Sequence, residues 1–254
     1  MVRNQALLCF LFMVLGPPLV IGGAPTRNIP TLAQTSNVYA IDLLGFGASD
    51  KPVGFQYTME AWAQLILDFL EEIVQKPTVL IGNSVGSLAC VIAAADAQQS
   101  LVQGIVLLNC AGGMNNKAIV DDWRIKLLYP LLLLIDFLLR QRVIASFIFE
   151  RARQRESLRN ILLSVYGNKD SVDEDLVQGT AMDEGALDAF VSIVTGPPGP
   201  NPVQLMPTIS LPVLILWGMK TRLRLLMGLS SEIINKDYNP LFSPFVSFLL
   251  PIMK

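Results

Sequence analysis

The sequence contains no histidine, which limits the chemistry that the chain can carry out by itself. Histidine is the side chain that most often moves protons near neutral pH, so a mechanism built on an imidazole base has no base within these 254 residues. Cysteine is also scarce, since only Cys9, Cys90 and Cys110 occur, and their spacing does not suit a metal site. We therefore expect no metal or other cofactor, and three reduced cysteines in the core.

Charged residues are sparse as well. They make up 16% of the chain, the net charge is -2 and no long basic block occurs, so nothing favours nucleic acid as a partner. Hydrophobic residues make up 52% of the chain and the mean hydropathy is +0.49, which is high for a soluble domain. This composition indicates contact with a membrane surface, an apolar substrate, or both.

Residues 1–25 form an apolar N-terminal segment with two open interpretations. An apolar run from Ala6 to Leu15 is followed by Gly16-Pro17-Pro18 and a second run, Leu19-Val20-Ile21. The runs are too short and too interrupted to span a bilayer. The segment is either a targeting signal, cleaved near Gly22-Gly23-Ala24, or a pair of core strands joined by a turn at the two prolines.

The clearest motif is Gly82-Asn83-Ser84-Val85-Gly86. An apolar run precedes it and an alanine-rich stretch follows it, which predicts a strand, a sharp turn and a helix. A serine at such a turn has a strained backbone and a hydroxyl that stands clear of the sheet, so its neighbours must be small. Ser84 is the candidate nucleophile, and the amide of Val85 is the candidate oxyanion donor. The pentapeptide also arises by chance in glycine-rich turns, but its flanks favour the catalytic interpretation.

Four short apolar runs bounded by turn residues predict the strands of a mostly parallel sheet. They are Val38–Ile41, Val79–Ile81, Ile105–Leu108 and Val213–Leu216. Helical patterns separate them, and the first begins after a capping Thr58. Its apolar positions recur at helical spacing: Trp62, Leu65, Ile66, Phe69, Leu70 and Ile73. This alternation predicts an α/β fold with helices on both faces of the sheet.

The loop from Asp42 to Asp50 follows the first predicted strand. Loops at the carboxyl edge of a parallel sheet commonly build active sites. We therefore expect Gly45 and Phe46 of this loop to contact the substrate beside Ser84, together with Asn83 of the serine motif.

Residues 114–205 interrupt the alternation and predict a helical lid. Their most apolar part, Ile125 to Leu139, is broken by Pro130 and is too short to span a bilayer, but it suits a lid or an interfacial helix. We expect helices over Ile125 to Phe149 that cover the Ser84 face, leave an apolar pocket beneath them and bring Tyr129 to the substrate.

Three arginines of the lid recur at four-residue spacing and share one helical face: Arg151, Arg155 and Arg159. With Glu150 and Glu156 nearby, a solvated face is favoured over contact with anionic lipid, and both interpretations stay open.

Together these motifs resemble the α/β-hydrolase superfamily and, within it, the plant plastid branch of pheophytinase-like enzymes. The resemblance rests on Val38 to Pro52, Gly82 to Gly86 and Leu214 to Gly218, within a matching stretch from Arg27 to Gly218. It implies an α/β-hydrolase core over residues 26–218, hydrolysis of an apolar, phytyl-type carboxylic ester, no cofactor and a chloroplast location. The apolar N-terminal segment leaves the secretory pathway or membrane association as the alternative location.

The chain departs from the family's pattern in three places. Gly22 and Gly23 stand where relatives carry a His-Gly oxyanion loop, and Asn109 stands where some relatives carry the catalytic acid. Met219 to Arg222 replaces the other acid-bearing turn, and the final strand with its histidine is absent, so residues 219–254 form an atypical tail. The resemblance thus implies a truncated or alternatively spliced form without a catalytic acid or histidine.

Two functions follow from this sequence. The first is a serine ester hydrolase that acts on a small apolar ester and is impaired by the missing base, with Lys117 or Lys126 as the alternative candidate base. The second is an inactive hydrolase-fold protein that binds an apolar ligand, a membrane or a partner without turnover.

Overall fold

A computed structural model of the chain describes residues 7–11, 29–47, 49–96, 100–115, 123–152, 154–165 and 185–216. Within them, five strands form one sheet: β1 (Leu7–Leu11), β2 (Val38–Ile41), β3 (Thr78–Asn83), β4 (Val102–Leu108) and β5 (Val213–Leu216). Their order across the sheet is β2-β1-β3-β4-β5, and every pairing is parallel. The predicted α/β fold with a mostly parallel sheet is therefore confirmed.

The described helices follow the strands in chain order: α1 (Met59–Phe69), α2 (Val85–Ala95), α3 (Trp123–Leu139), α4 (Arg142–Ala152), α5 (Arg155–Val165), α6 (Ala186–Thr195) and α7 (Pro202–Leu205). A wide π-helical turn, Leu70–Val74, extends α1, and a 3-10 turn, Met206–Thr208, extends α7. Among these described helices, none combines the length and the apolar character needed to cross a bilayer.

All four predicted strands are present, and two of them are longer than predicted. The fifth strand, β1, lies in the apolar N-terminal segment and pairs with β2 on one side and β3 on the other. Central strands of parallel sheets are commonly apolar along their whole length, which agrees with the sequence Leu-Leu-Cys-Phe-Leu of β1. The second apolar run, Leu19-Val20-Ile21, lies outside the described residues.

Helix α1 begins as predicted, because the Thr58 side chain accepts a hydrogen bond from the Ala61 amide (3.1 Å). The predicted apolar face is wrong at Ile73, which is 59% exposed. The π-helical turn has more residues per turn than an α-helix, so the buried face continues from Leu70 to Val74 and not to Ile73. Ile73 consequently faces solvent.

The core lies between the sheet and helices α1 and α2. Helix α2 is rich in small residues and is buried along almost its whole length, so it lies close to β3 and β4. Trp62 of α1 is fully buried, and its indole donates a hydrogen bond to the Leu44 carbonyl (2.9 Å). Cys90 and Cys110 are buried thiols, as predicted, and the side chain of Cys9 lies outside the described residues.

The parts of the excursion between β4 and β5 that the structure describes are largely helical. Phe149 of α4 packs against Phe190 of α6 at a ring-centroid distance of 5.7 Å. Two side chains tie the carboxyl end of α6 to its neighbours: Asn115 donates to the Gly196 carbonyl (2.9 Å) and Arg140 to the Thr195 carbonyl (2.9 Å). These donors satisfy carbonyls that a helix end otherwise leaves unpaired.

Candidate active site

Ser84 lies at the junction of β3 and α2 in a strained backbone conformation, with φ 54° and ψ -118°. Residues other than glycine rarely adopt a positive φ, and strain of this kind concentrates at functional sites. Gly82 makes the turn sterically feasible, since a Cβ there would lie 2.5 Å from the Gly86 carbonyl oxygen. The turn therefore has the geometry of a nucleophile elbow.

Backbone hydrogen bonds fasten this elbow to the end of β4. The Ser84 amide donates to the Leu108 carbonyl (2.9 Å), and the Ala111 amide donates to the Ser84 carbonyl (3.1 Å). The amide and the carbonyl of Ser84 are thus bonded to the last residue of β4 and to the turn after it, which fixes the orientation of the Ser84 side chain.

Ser87 provides a second connection beneath the elbow. Its buried hydroxyl donates to the Gly82 carbonyl (2.6 Å) and accepts from the Leu108 amide (3.1 Å). The Leu108 carbonyl lies 3.2 Å from the same oxygen as a longer second acceptor. Sequence analysis did not single out Ser87, although a polar residue in an otherwise apolar helix is a signal for such a bond.

The Ser84 hydroxyl is buried and has no hydrogen-bond partner among the described residues. A serine hydroxyl is a weak nucleophile until a neighbouring base accepts its proton. Val85 is buried in the first turn of α2, where backbone amides point along the helix axis toward incoming negative charge. This arrangement fits the predicted oxyanion role, which stays a prediction.

The turn after β4, whose backbone is bonded to Ser84, carries the side chains of Asn109 and Cys110. Asn109 has a positive φ of 45°, and its amide donates to the Leu216 carbonyl of β5 (2.9 Å). An amide side chain cannot serve as the catalytic acid. Burial raises the pKa of the Cys110 thiol to about 12, so this thiol stays protonated at neutral pH and cannot replace the missing base.

The loop after β2 is tightly ordered around its glycines. Gly45 has a φ of +90°, and a Cβ there would lie 2.5 Å from the Tyr57 ring. Phe46 packs on Trp62 with ring centroids 5.4 Å apart, so it contributes to the core. The Lys51 ammonium group is buried and donates to the Gly47 carbonyl (2.8 Å). This order explains how the loop keeps its shape, while substrate contact by Gly45 and Phe46 stays a prediction.

For the remaining predicted site residues, the structure describes the backbone or the burial of some and leaves others undescribed. Asn83 ends β3 directly before Ser84 and is partly buried. Tyr129 lies in α3, but its side chain is outside what the structure describes. Lys117 is likewise outside the described residues, as is the side chain of Lys126. Within the described part of the chain, no three Cys, Asp or Glu side chains lie close enough together to hold a metal ion.

Tyr57 is a further buried hydroxyl that sequence analysis did not single out. Its ring contacts Phe55 and Trp62, and its hydroxyl has no hydrogen-bond partner among the described residues. Burial raises its pKa, with a smaller contribution from the negative charge of Asp188 in α6. The hydroxyl therefore remains neutral at physiological pH.

The fold and the elbow define a class of protein, and comparison with known families identifies it. Residues 21–225 match the family described as the alpha/beta hydrolase fold. The chain therefore belongs to the α/β-hydrolase fold family.

Two relatives illustrate this membership. The uncharacterized hydrolase YugF of Bacillus subtilis is 26% identical over 78% of this chain and 67% of its own length. The 2-hydroxymuconate semialdehyde hydrolase of a Pseudomonas species is 33% identical over 84 residues, which cover 33% of this chain and 29% of the relative. The chain thus spans under a third of the second relative.

Solved structures show the same fold at low identity. A probable hydrolytic enzyme from Pseudomonas aeruginosa is 22% identical, with a TM-score of 0.60 over 85% of this chain and 65% of its own. The epoxide hydrolase CorEH is 17% identical, with a TM-score of 0.63 over 85% of this chain and 75% of its own. The chain therefore spans just under two thirds of the first of these structures.

Proposed function

We propose that the protein is a carboxylic-ester hydrolase in which Ser84 is the nucleophile and the Val85 amide stabilises the oxyanion. The observation that carries this proposal is the backbone of Ser84, held at a positive φ by bonds to Leu108 and Ala111. A strained serine at the carboxyl end of a central strand costs folding energy that a purely structural turn would not require. Membership of a family that contains hydrolases supports the same reaction class.

The proposed substrate is an apolar ester. The high mean hydropathy and the apolar helices of the excursion favour an ester with an apolar acyl or alcohol group over a charged one. The sequence resemblance to pheophytinase-like enzymes makes a phytyl-type ester, and a chloroplast location, the finer form of this proposal.

A second candidate function is binding of the same apolar ligand without turnover. Two observations favour it: the chain has no histidine, and the Ser84 hydroxyl has no hydrogen-bond partner among the described residues. In serine hydrolases, loss of one member of the catalytic triad lowers turnover by roughly a million-fold. Under this second candidate, ester turnover by the 254-residue chain should be close to that of its Ser84→Ala variant.

Chemical rescue separates the two candidates. Imidazole added to the solution can act as the base that the chain lacks, so Ser84 should react with a fluorophosphonate probe faster as imidazole is increased. The adduct is located by peptide mass spectrometry, and release of nitrophenol from a short-chain nitrophenyl ester is followed in parallel.

Ser84→Ala is the matched control, because imidazole alone also cleaves nitrophenyl esters. An adduct on Ser84 with imidazole-dependent turnover above that of Ser84→Ala supports the nucleophile. Absence of any adduct at Ser84 at every imidazole concentration contradicts it. Turnover in the usual enzyme range of roughly 1 to 1000 per second without imidazole would overturn the non-catalytic candidate.

A further inference from the structure

Helices α3 and α4 present an unusual amount of apolar surface to solvent. Eight of the large hydrophobic side chains that are exposed lie on these two helices: Leu131, Leu133, Leu134, Ile135, Phe137, Val143, Phe147 and Ile148. Extensive exposed apolar surface on a protein commonly marks an interaction site. These exposed side chains of α3 and α4 are called the apolar patch below.

Helix α4 shows that this exposure is organised by the helical period. Ala145 and Phe149 are buried, and Phe149 packs on Phe190 of α6. On the opposite face Val143 is 82% exposed and Phe147, four residues later, is 73% exposed. The helix is therefore apolar on both faces, and its inner face alone accounts for its packing on the protein.

The stretch of sequence that forms helices α3 to α5 is cationic. Residues 123–165 contain eight of the chain's 19 Lys and Arg residues and three of its 21 Asp and Glu residues, a local net charge of +5. The whole chain has a net charge of -2, so the remainder is acidic. The Arg142 side chain at the start of α4 is 82% exposed and forms a long ion pair with the Asp188 carboxylate (4.0 Å). Arg151 continues the line of Val143 and Phe147 along the helix.

We propose that the apolar patch is a docking surface for an anionic lipid bilayer, with α3 and α4 lying in the interface and not crossing it. Interfacial helices bury an apolar face at the boundary of headgroups and acyl chains, while flanking arginines reach the lipid phosphates. The charge separation between this region and the rest of the chain would orient the protein on the membrane. A second copy of the chain carries the same positive charge at this surface, which disfavours self-association through it.

The proposal is tested by vesicle co-sedimentation of the full chain. Vesicles of phosphatidylcholine alone are compared with vesicles that also contain anionic phosphatidylglycerol. We expect binding only to the anionic vesicles, and weaker binding as salt is raised. The Val143→Ser/Phe147→Ser double variant should bind at least tenfold more weakly, and Arg142→Gln with Arg151→Gln about fivefold more weakly for each charge removed.

Ile73→Ser is the matched control, because Ile73 is a similarly exposed apolar residue but follows Glu71 and Glu72. It should bind anionic vesicles like the unmodified chain, and circular dichroism should show the same melting temperature for every variant. Ser84→Ala should also bind fully, which keeps this test independent of the proposed reaction.

Three results would overturn the proposal. The first is equal binding to neutral and anionic vesicles, or to neither. The second is unchanged binding by Val143→Ser/Phe147→Ser, or an equal loss in Ile73→Ser. The third is light scattering that shows a dimer of the unmodified chain dissociated by the double variant, which would make a second copy the occupant of the apolar patch.

Discussion

At the scale of single residues, the elbow depends on a side chain that does not react. The Ser87 hydroxyl joins the Gly82 carbonyl of β3 to the Leu108 amide of β4 directly beneath Ser84. Both of these backbone groups are adjacent to the strained turn in a buried position, so the Ser87 hydroxyl provides hydrogen bonds that solvent water cannot provide there. Its loss would remove both of these hydrogen bonds from a buried position.

Ser87→Ala should therefore lower the free energy of unfolding by about 1–3 kcal/mol. Ser146→Ala is the control, because the Ser146 hydroxyl bonds the Val143 carbonyl on an exposed helix and its removal should change stability by less than about 0.5 kcal/mol. Urea denaturation followed by tryptophan fluorescence measures both values. Equal losses in the two variants would show that the Ser87 bonds add nothing beyond those of a surface serine.

At the scale of secondary-structure elements, helix α1 depends on the cap at its start. Thr58→Ala removes the acceptor for the Ala61 amide and should cost about 1 kcal/mol. The matched control is Thr208→Ala, whose hydroxyl donates to the Leu205 carbonyl at an exposed 3-10 turn and caps no helix start. Thermal melts compare the two variants, and an equal or larger shift in Thr208→Ala would contradict the capping role.

The elements also show which parts of the structure were predictable. β2 and β5 match their apolar runs residue for residue, because short runs between turn signals have few alternatives. The placement of β1 was left open, since pairing with β2 and β3 depends on contacts distant in sequence. Ile73 was misassigned because sequence periodicity assumes a regular α-helix, whereas α1 ends in a π-helical turn.

The candidate active site was also predictable only where its features depend on residues close in sequence. The small residues around Ser84 predicted the elbow, because steric rules act on neighbours in sequence. Ser87 and Tyr57 were missed because their surroundings include Leu108 and Asp188, which are distant in sequence and are brought to them by the fold.

At the scale of the whole molecule, stability should fall at alkaline pH. Burial raises the pKa of Cys110 from 9.0 to about 12, and the pKa of Tyr57 is raised as well. Unfolding restores the ordinary pKa, so the unfolded chain loses these protons at a lower pH than the folded one. The stabilisation is complete below pH 9.0 and is lost as pH rises toward about 12.

Cys110→Ala should make the free energy of unfolding less sensitive to pH in this range. A single group contributes at most about 1.4 kcal/mol per pH unit, and Tyr57 leaves part of the slope in place. Urea titrations between neutral and alkaline pH measure the slope, with Cys90→Ala as a control for the loss of a buried thiol. A slope unchanged in Cys110→Ala would show that the Cys110 thiol does not set the alkaline limit.

The pairing of β4 with β5 constrains the order in which the molecule can assemble. Ile105 pairs with Val213, and the entire helical excursion lies between them in the chain. During synthesis β1 to β4 can therefore form while the far side of β4 still lacks its neighbour, and closing so long a loop is slow. Until β5 is synthesised and pairs, the edge of β4 exposes unpaired amides and carbonyls that another nascent chain can bind. The yield of folded protein should therefore depend on translation speed and on chaperones that cover this edge.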